Sequence, residues 1–154
     1  MKVKLTITAM LCLLLSNVFG ASFSGRDSDG DTEIQRATMR VLDEYMTAWN
    51  AKDLVAWEKT FHFPHYRLAS GQMRVLEHAG MQDATKVWAQ IDGWHHSAWD
   101  HRRIVHSSND KVHVDTRFTR YRADGSKIGT YDSLYVITKE NGRWGVKLRS
   151  SFAQ

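Results

Sequence analysis

His65 and Arg67 are the two residues whose types and spacing best suit chemistry in this sequence. They are two positions apart in an extended stretch that follows Pro64, and side chains two positions apart lie on one face of a strand. Histidine transfers protons near neutral pH, and arginine binds anionic groups. If this face points inward, the pair suits acid–base catalysis or recognition of a polar ligand head. The alternative is that both lie in a solvated loop at the rim.

The eight histidines raise the question of a metal site. His95 and His96 are adjacent on a predicted strand edge and should therefore point in opposite directions, and Pro64 prevents His62 and His65 from sharing a helical face. Only a ligand from another strand could complete a site, so polar histidines at strand and rim positions are the preferred interpretation. We predict no metal and no cofactor.

The first twenty residues have the three-part pattern of a secretory signal peptide. Lys2 and Lys4 form a positive start, residues 5–15 are almost wholly apolar, and Val18 and Gly20 occupy the positions before a cleavage site. The apolar run is shorter than the ~20 residues of a membrane-spanning helix, which makes an uncleaved anchor the less favoured alternative. We predict a secreted or periplasmic protein that is not attached to a membrane after cleavage.

Length and composition indicate one globular domain. The chain has 154 residues, of which 42% are hydrophobic and 25% charged, and this is typical of an ordinary folded domain. Loss of residues 1–20 removes two lysines and lowers the formal net charge from +4 to +2, which is too weak for a nucleic-acid binder. The polar residues 21–30 are predicted to be a flexible leader, and residues 31–154 the domain.

Apolar periodicity predicts helices first and strands afterwards. Helices are expected from Asp31 to about Asn50, from Asp53 through Phe61, and from Met81 to Trp94. Turn signals at 108–110, 124–125 and 141–142 separate the later strands. The predicted strands are 65–68, 73–76, 97–107, 111–122, 127–138 and 143–153.

Two motifs resemble the nuclear-transport-factor-2-like superfamily, which includes steroid isomerase and the SnoaL-like polyketide cyclases. Residues 45–54 (YMTAWNAKDL) resemble its first helix and the step into the second, and residues 140–146 (ENGRWGV) resemble its final hairpin. The resemblance implies an α+β fold in which three N-terminal helices pack on a strongly curved, mainly antiparallel sheet, a cone-shaped, cystatin-like roll. It also implies a blind pocket for a small apolar ligand.

The same resemblance implies two further candidate catalytic residues. In steroid isomerase a carboxylate base works with a tyrosine and a protonated aspartic acid. Tyr45 matches the tyrosine and Asp132 lies near the protonated acid, but the position of the base is Ala69. The isomerase mechanism is therefore not expected, and the candidates are Tyr45 with His65 and Arg67, and Asp132.

The turn lengths decide which way Asp132 points. Two-residue turns at 124–125 and 141–142 place Phe118 opposite Tyr131 and put Asp132 outside, across from Arg117. The same register places Thr116 opposite Ser133, Val114 opposite Tyr135 and Ile137 opposite Val146. Three-residue turns with a bulge would shift the pairing by one and turn Asp132 inward. The first register is preferred because an inward carboxylate without a partner is costly to desolvate.

Aromatic residues are expected to form the core and the pocket wall. The predicted ligand-contacting residues are Trp49, Trp57, Trp94, Phe118, Tyr131 and Tyr135. The first hypothesis is a pocket protein that binds a small apolar ligand, with acid–base turnover of that ligand as an added activity. The second is a non-catalytic module whose open sheet face forms a homodimer or binds a partner. A strip of strand arginines (102, 103, 117, 120 and 122) is interpreted as a solvated or dimer-facing sheet surface, or as a site for an acidic partner.

Overall fold

The structure, a computed structural model, describes residues 28–153. The predicted signal peptide lies outside the described residues, and α1 begins within the predicted leader. The helices are α1 (Ser28–Asn50), α2 (Leu54–Lys59) and α3 (Ala84–Val87), and the strands are β1 (Phe61–Ala69), β2 (Gln72–Leu76), β3 (His96–Ser107), β4 (Lys111–Tyr121), β5 (Lys127–Glu140) and β6 (Arg143–Ser151).

The strands form one curved, unclosed sheet in the order β2-β1-β6-β5-β4-β3. Neighbouring strands are antiparallel except β1 and β6, which are parallel. The register shifts at irregular positions in four of the five strand pairs. Such bulges bend strands and increase their twist, which suits a sheet that curves around a helix. The predicted α+β class is confirmed.

The core lies where α1 packs against the inner face of this sheet. Leu42 on α1 and Val114, Ile137 and Val146 on the strands are completely buried. Tyr45, one turn further along α1, packs edge-on against Tyr135 at a ring-centroid distance of 5.5 Å. Burial of this apolar stripe holds α1 on the sheet.

The second helix is shorter than predicted because β1 begins before Pro64. Helix α2 ends at Lys59, and Phe61 already pairs with Val146 of β6. The backbone N–H of Val146 donates to the carbonyl of Thr60 at 2.8 Å. Pairing with a strand that is distant in the sequence therefore overrides the local helical periodicity. The Phe63–Pro64 peptide bond is cis.

Of the predicted third helix, Met81 to Trp94, only Ala84–Val87 is helical. Asp83 caps a single turn by accepting from the backbone N–H of Thr85 at 2.9 Å. Beyond this turn, the Trp88 indole N–H donates to the Trp49 carbonyl at 3.1 Å, and Gly93 has a left-handed φ of 66°. Packing of Trp88 against the first helix takes the place of continued helical bonding.

The preferred strand register is confirmed, although the turn before β5 is not the predicted two-residue turn. The Arg122 backbone N–H donates to the Ser126 carbonyl at 2.8 Å across three residues, and the register shift between Arg120 and Tyr121 restores the predicted pairing. Phe118 pairs with Tyr131, Thr116 with Ser133 and Val114 with Tyr135, and Ile137 pairs with Val146. Asn141 and Gly142 both have positive φ, as a tight two-residue hairpin turn requires. The register that turns Asp132 inward is therefore not adopted.

Candidate functional site

A row of arginines crosses the inner face of the sheet. Arg74 of β2 pairs with Arg67 of β1, which pairs with Arg149 of β6. Arg149 pairs in turn with Tyr135 of β5. Paired residues on adjacent strands present their side chains on the same face, so the guanidinium groups converge beside Tyr45 and Trp49 of α1.

Arg149 is the most enclosed member of the row, with a relative exposure of 5%. It donates to the Tyr45 hydroxyl at 2.9 Å and to the Ser151 hydroxyl at 3.1 Å. Its Nε has no hydrogen-bond partner among the described residues. The guanidinium carbon lies 5.7 Å from the Phe118 ring centroid and 5.8 Å from that of Tyr135. The side chain is thus held by neutral groups and aromatic faces.

The pKa shifts in this cluster leave Arg67 and Arg149 protonated and the Tyr135 hydroxyl neutral at pH 7. Burial lowers the pKa of Arg67, and the neighbouring Arg149 lowers it further. Burial also opposes the charge of Arg149, but interactions with Tyr135 and Tyr45 leave its pKa raised. Burial raises the pKa of Tyr135 well above its ordinary value. At neutral pH the site therefore carries guanidinium charge beside uncharged hydroxyl groups.

Besides a side cavity of about 70 Å³ next to Arg67 and Arg74, two cavities adjoin the arginine row. The inner cavity, between Tyr45, Phe118 and Tyr135, has a volume of about 20 Å³, enough for about one water molecule. The mouth cavity, between the sheet and residues 81–90, has a volume of about 370 Å³. Aromatic side chains therefore fill most of the predicted hollow, and the space that remains lies at its mouth.

The wall of the mouth cavity combines apolar and basic side chains. The apolar residues are Trp49, Trp57, Leu76, Met81 and Val87, and the basic residues are Arg67, Arg74, Lys86, Arg120 and Arg149. Trp49 and Trp57 contact each other at a ring-centroid distance of 4.8 Å. A molecule in this cavity would contact indole faces and guanidinium groups together.

A buried carboxylate fixes the loop that closes one side of the mouth cavity. Glu58 on α2 has an exposure of 5%. Its carboxylate accepts from the Gly80 backbone N–H at 2.7 Å and from the Gln82 side chain at 3.4 Å. These bonds place Met81 and Gln82 against the cavity.

The structure brings some of the predicted catalytic residues together and separates others. Tyr45 and Arg67 lie at the arginine row. His65 lines neither of the two cavities: it is buried, stacks on Phe61 with ring centroids 4.0 Å apart, and its Nδ1 lies 3.0 Å from the Val146 carbonyl oxygen. Asp132 lies on the outer face.

The prediction of Asp132 as a catalytic residue of the pocket therefore needs correction. Its carboxylate accepts from Nε and Nη2 of Arg117 at 2.7 and 3.2 Å. Both side chains are about half exposed. The ion pair lowers the pKa of Asp132, so the group is an ionised surface carboxylate rather than the neutral acid that the resemblance implies.

The predicted ligand-contacting residues lie at different places in the structure. Trp49 and Trp57 line the mouth cavity, and Phe118 and Tyr135 line the inner cavity. Tyr131 lies on the same inner face and packs on Phe118 at 5.5 Å. Trp94 contacts Trp49 at 5.7 Å but lines a separate, open depression beside Lys52.

Sequence reasoning missed Arg120 and Arg149 as site residues. Arg120 was assigned to the sheet surface, yet it has an exposure of only 5%. Because Phe118 faces inward, the two-residue period of a strand could have placed Arg120 inward as well. The sequence contains no such signal for Arg149. Val146 faces inward, so strict alternation along β6 would point Arg149 outward. The register shift between Val136 and Ile137 adds one residue to β6 and turns Arg149 inward.

His95 and His96 do not point in opposite directions, because β3 begins only at His96. Their Nδ1 atoms lie 3.0 Å apart. Within residues 28–153, however, no three side chains of histidine, cysteine, aspartate or glutamate cluster closely enough to hold a metal ion. In the same part of the chain, no helix is both long and apolar enough to cross a membrane.

The curved sheet, its packed helices and the cavity at the mouth define an NTF2-like α+β protein. The chain belongs to the family described as NTF2-like protein (DUF6841), whose model matches residues 33–148. No curated protein matches the sequence.

Solved structures share the fold at low sequence identity. An NTF2-like protein of unknown function from Pseudomonas putida KT2440 has a TM-score of 0.66 and 12% identity, over 80% of this chain and 88% of that one. A protein of unknown function with a cystatin-like fold from Nostoc punctiforme PCC 73102 has a TM-score of 0.65 and 13% identity, over 78% of this chain and 90% of that one. A ketosteroid isomerase-like protein from Erwinia carotovora atroseptica SCRI1043 has a TM-score of 0.58 and 18% identity, over 76% and 93%.

Proposed function

We propose that the protein binds a small, largely apolar organic molecule in the mouth cavity. The observation that carries this proposal is the cavity itself. Its volume of about 370 Å³ falls within the range of ~300–1,000 Å³ typical of small-molecule sites, and its wall includes tryptophan and aliphatic side chains. Export through the signal peptide predicted at residues 1–20 is part of the proposal.

Binding is better supported than turnover. A general base must come within hydrogen-bond reach of its substrate, but His65 is buried beside Phe61 and Asp132 is on the outer face. Tyr45 is close to the cavities, where its hydroxyl accepts a hydrogen bond from Arg149. A ligand-binding role needs only the aromatic wall and a few polar groups around it.

Filling the mouth cavity is expected to abolish binding. Val87 lines this cavity, so Val87→Trp should place an indole in the space that the ligand needs. We expect the affinity for the neutral apolar probe N-phenyl-1-naphthylamine, measured by its fluorescence, to fall by about tenfold or more, the equivalent of roughly 1.4 kcal/mol.

The matched control is Val55→Trp, because Val55 is 65% exposed on α2 and contributes to neither cavity. This control should bind the probe as the wild type does. Circular dichroism should show that both variants are folded. If the wild-type protein does not bind the probe, or the Val87→Trp variant binds it as well as the wild type, the mouth cavity is not the binding site.

Self-association through the outer sheet face is the second candidate function, because apolar side chains share a row there. Leu134 pairs with Ser150, which pairs with Leu68, which pairs with Met73. Leu134, Leu68 and Met73 have exposures of 38%, 39% and 56%. Exposed apolar patches are typical of protein contact surfaces.

Leu134→Lys is expected to convert a dimer to a monomer, since it replaces an apolar side chain of this row with a charged one. Sedimentation equilibrium of the wild type, the variant and the control Val55→Lys would measure the masses. We expect a dimer for the wild type and the control, and a dissociation constant at least about tenfold higher for Leu134→Lys. A monomeric wild type would rule out this second function without affecting the first.

A further inference from the structure

We propose that the ligand carries an oxyanion, a carboxylate or a phosphate, that binds between Arg67 and Arg149 on the floor of the mouth cavity. This inference rests on the proposed binding function and specifies the chemical class of the ligand. The rest of the molecule then lies against the apolar side chains of the cavity wall.

The first argument is the direct pairing of like charges. Arg67 and Arg149 occupy the same register position on adjacent strands, and Arg74 continues the row. Like charges in facing positions of a sheet repel each other, and the repulsion grows where burial removes water. An anion between the two guanidinium groups converts this repulsion into attraction.

The second argument is that nearby carboxylates do not neutralise the pair. Within residues 28–153, neither Arg67 nor Arg149 forms an ion pair. Asp83 lines the cavity, but its carboxylate accepts from the Thr85 backbone and side chain and pairs with Lys86 at 3.2 Å. Buried charges are normally paired, so the missing partner is expected to be the ligand.

The third argument is the unused donor of Arg149. Two of its nitrogens donate to neutral hydroxyls, those of Tyr45 and Ser151, whereas Nε is buried without a partner. Buried donors are nearly always hydrogen-bonded, so this nitrogen has the capacity for one further acceptor. Guanidinium groups bind carboxylates and phosphates through paired N–H donors.

The shape of the mouth cavity sets the orientation of the ligand. Arg149 and Arg120 line both the inner and the mouth cavity, so these two charges are at the deep end, whereas Arg67, Arg74 and Lys86 line the mouth cavity but not the inner one. Leu76, Met81 and Val87 likewise line the mouth cavity but not the inner one. An amphipathic acid would enter with its anionic group first and keep its apolar part against these side chains.

The test compares ligands that differ mainly in charge. 2-Naphthoate and 2-naphthamide share a ring system, and 2-naphthyl phosphate supplies the second oxyanion. We expect at least one of the two anions to bind the wild type about 10- to 100-fold more tightly than the amide, as hydrogen bonds to charged groups allow. Isothermal titration calorimetry would measure the affinities.

Arg149→Met and Arg67→Met should each remove at least about tenfold of this preference while leaving the affinity for the amide nearly unchanged. Arg117→Met, on the outer face, is the matched control and should keep the full preference. Arg67 is half-buried rather than enclosed, so its variant provides the test if Arg149→Met does not fold.

The possible failures are distinguishable. Equal affinities of the amide and both anions for the wild type would overturn the oxyanion site but leave the apolar pocket intact. A charge preference that persists in Arg67→Met and Arg149→Met but disappears in Arg117→Met would place the anion elsewhere. If neither the naphthalene compounds nor the neutral apolar probe binds, the pocket itself is refuted.

Discussion

Lowering the pH from 7 to 4 is expected to cost the protein about 3 kcal/mol of stability through His65 alone. This side chain has an exposure of 3% and stacks on Phe61. Burial, with smaller effects from Arg149, Arg67 and Lys147, lowers its pKa from 6.5 to about 4, although the hydrogen bond to Val146 opposes the shift.

The direction of this change in stability follows from which state, folded or unfolded, binds more protons. As the pH falls through 6.5, His65 of the unfolded chain takes up a proton, whereas the folded protein does not until about pH 4. The unfolded state therefore binds more protons in this interval, and acid favours unfolding. The stability that the neutral, buried His65 contributes is fully present above about pH 6.5 and is lost progressively toward pH 4.

Urea unfolding of the wild type and His65→Gln at several pH values between 7 and 4 would measure this effect. The variant is expected to be less stable at pH 7 but to lose less stability on acidification. His78→Gln, at an exposed position, is the control and should follow the wild type. An equally steep loss in His65→Gln would show that other groups cause the acid sensitivity.

Leu42→Ala is expected to lower the free energy of unfolding by about 2–5 kcal/mol. Leu42 is completely buried in the cluster that joins α1 to the sheet, so its truncation loses apolar contact and leaves a cavity. Denaturant unfolding at pH 7 would measure the change. Val55→Ala, at an exposed position on α2, should change stability by no more than about 0.5 kcal/mol.

A loss below about 1 kcal/mol at Leu42 would mean that neighbouring side chains collapse into the space or that α1 is not fixed there. Because α1 carries Tyr45 and Trp49, the same variant should also weaken binding of the apolar probe.

Much of the fold could be predicted from local signals. Alternating strands and the turn signals at 124–125 and 141–142 are local, and the register drawn from them paired Phe118 with Tyr131 and put Asp132 outward, opposite Arg117. Errors arose where contacts distant in the sequence decide the structure. Pairing with β6 starts β1 at Phe61, and packing of Trp88 on α1 ends the third helix early.

The candidate site was harder to predict for the same reason. Tyr45, Trp49 and Arg67 could be selected from their residue types, their spacing and a family resemblance. Arg149 could not, because its inward direction depends on a register shift between β5 and β6 that no residue type near it indicates. The concentration of positive charge at the site consequently depends on the pairing of β1 with β6.

The parallel contact between β1 and β6 makes the binding site dependent on the C-terminal end of the chain. His65 and Val146, which this contact brings together, are 81 positions apart, and contacts of such long range form slowly during folding. A chain that stops before β6 would retain Tyr45, Trp49 and Arg67 but would lack Arg149 and the strand that connects β1 to the rest of the sheet. Supplying β6 as a separate peptide would then restore both the missing charge and the connection between the two parts of the sheet.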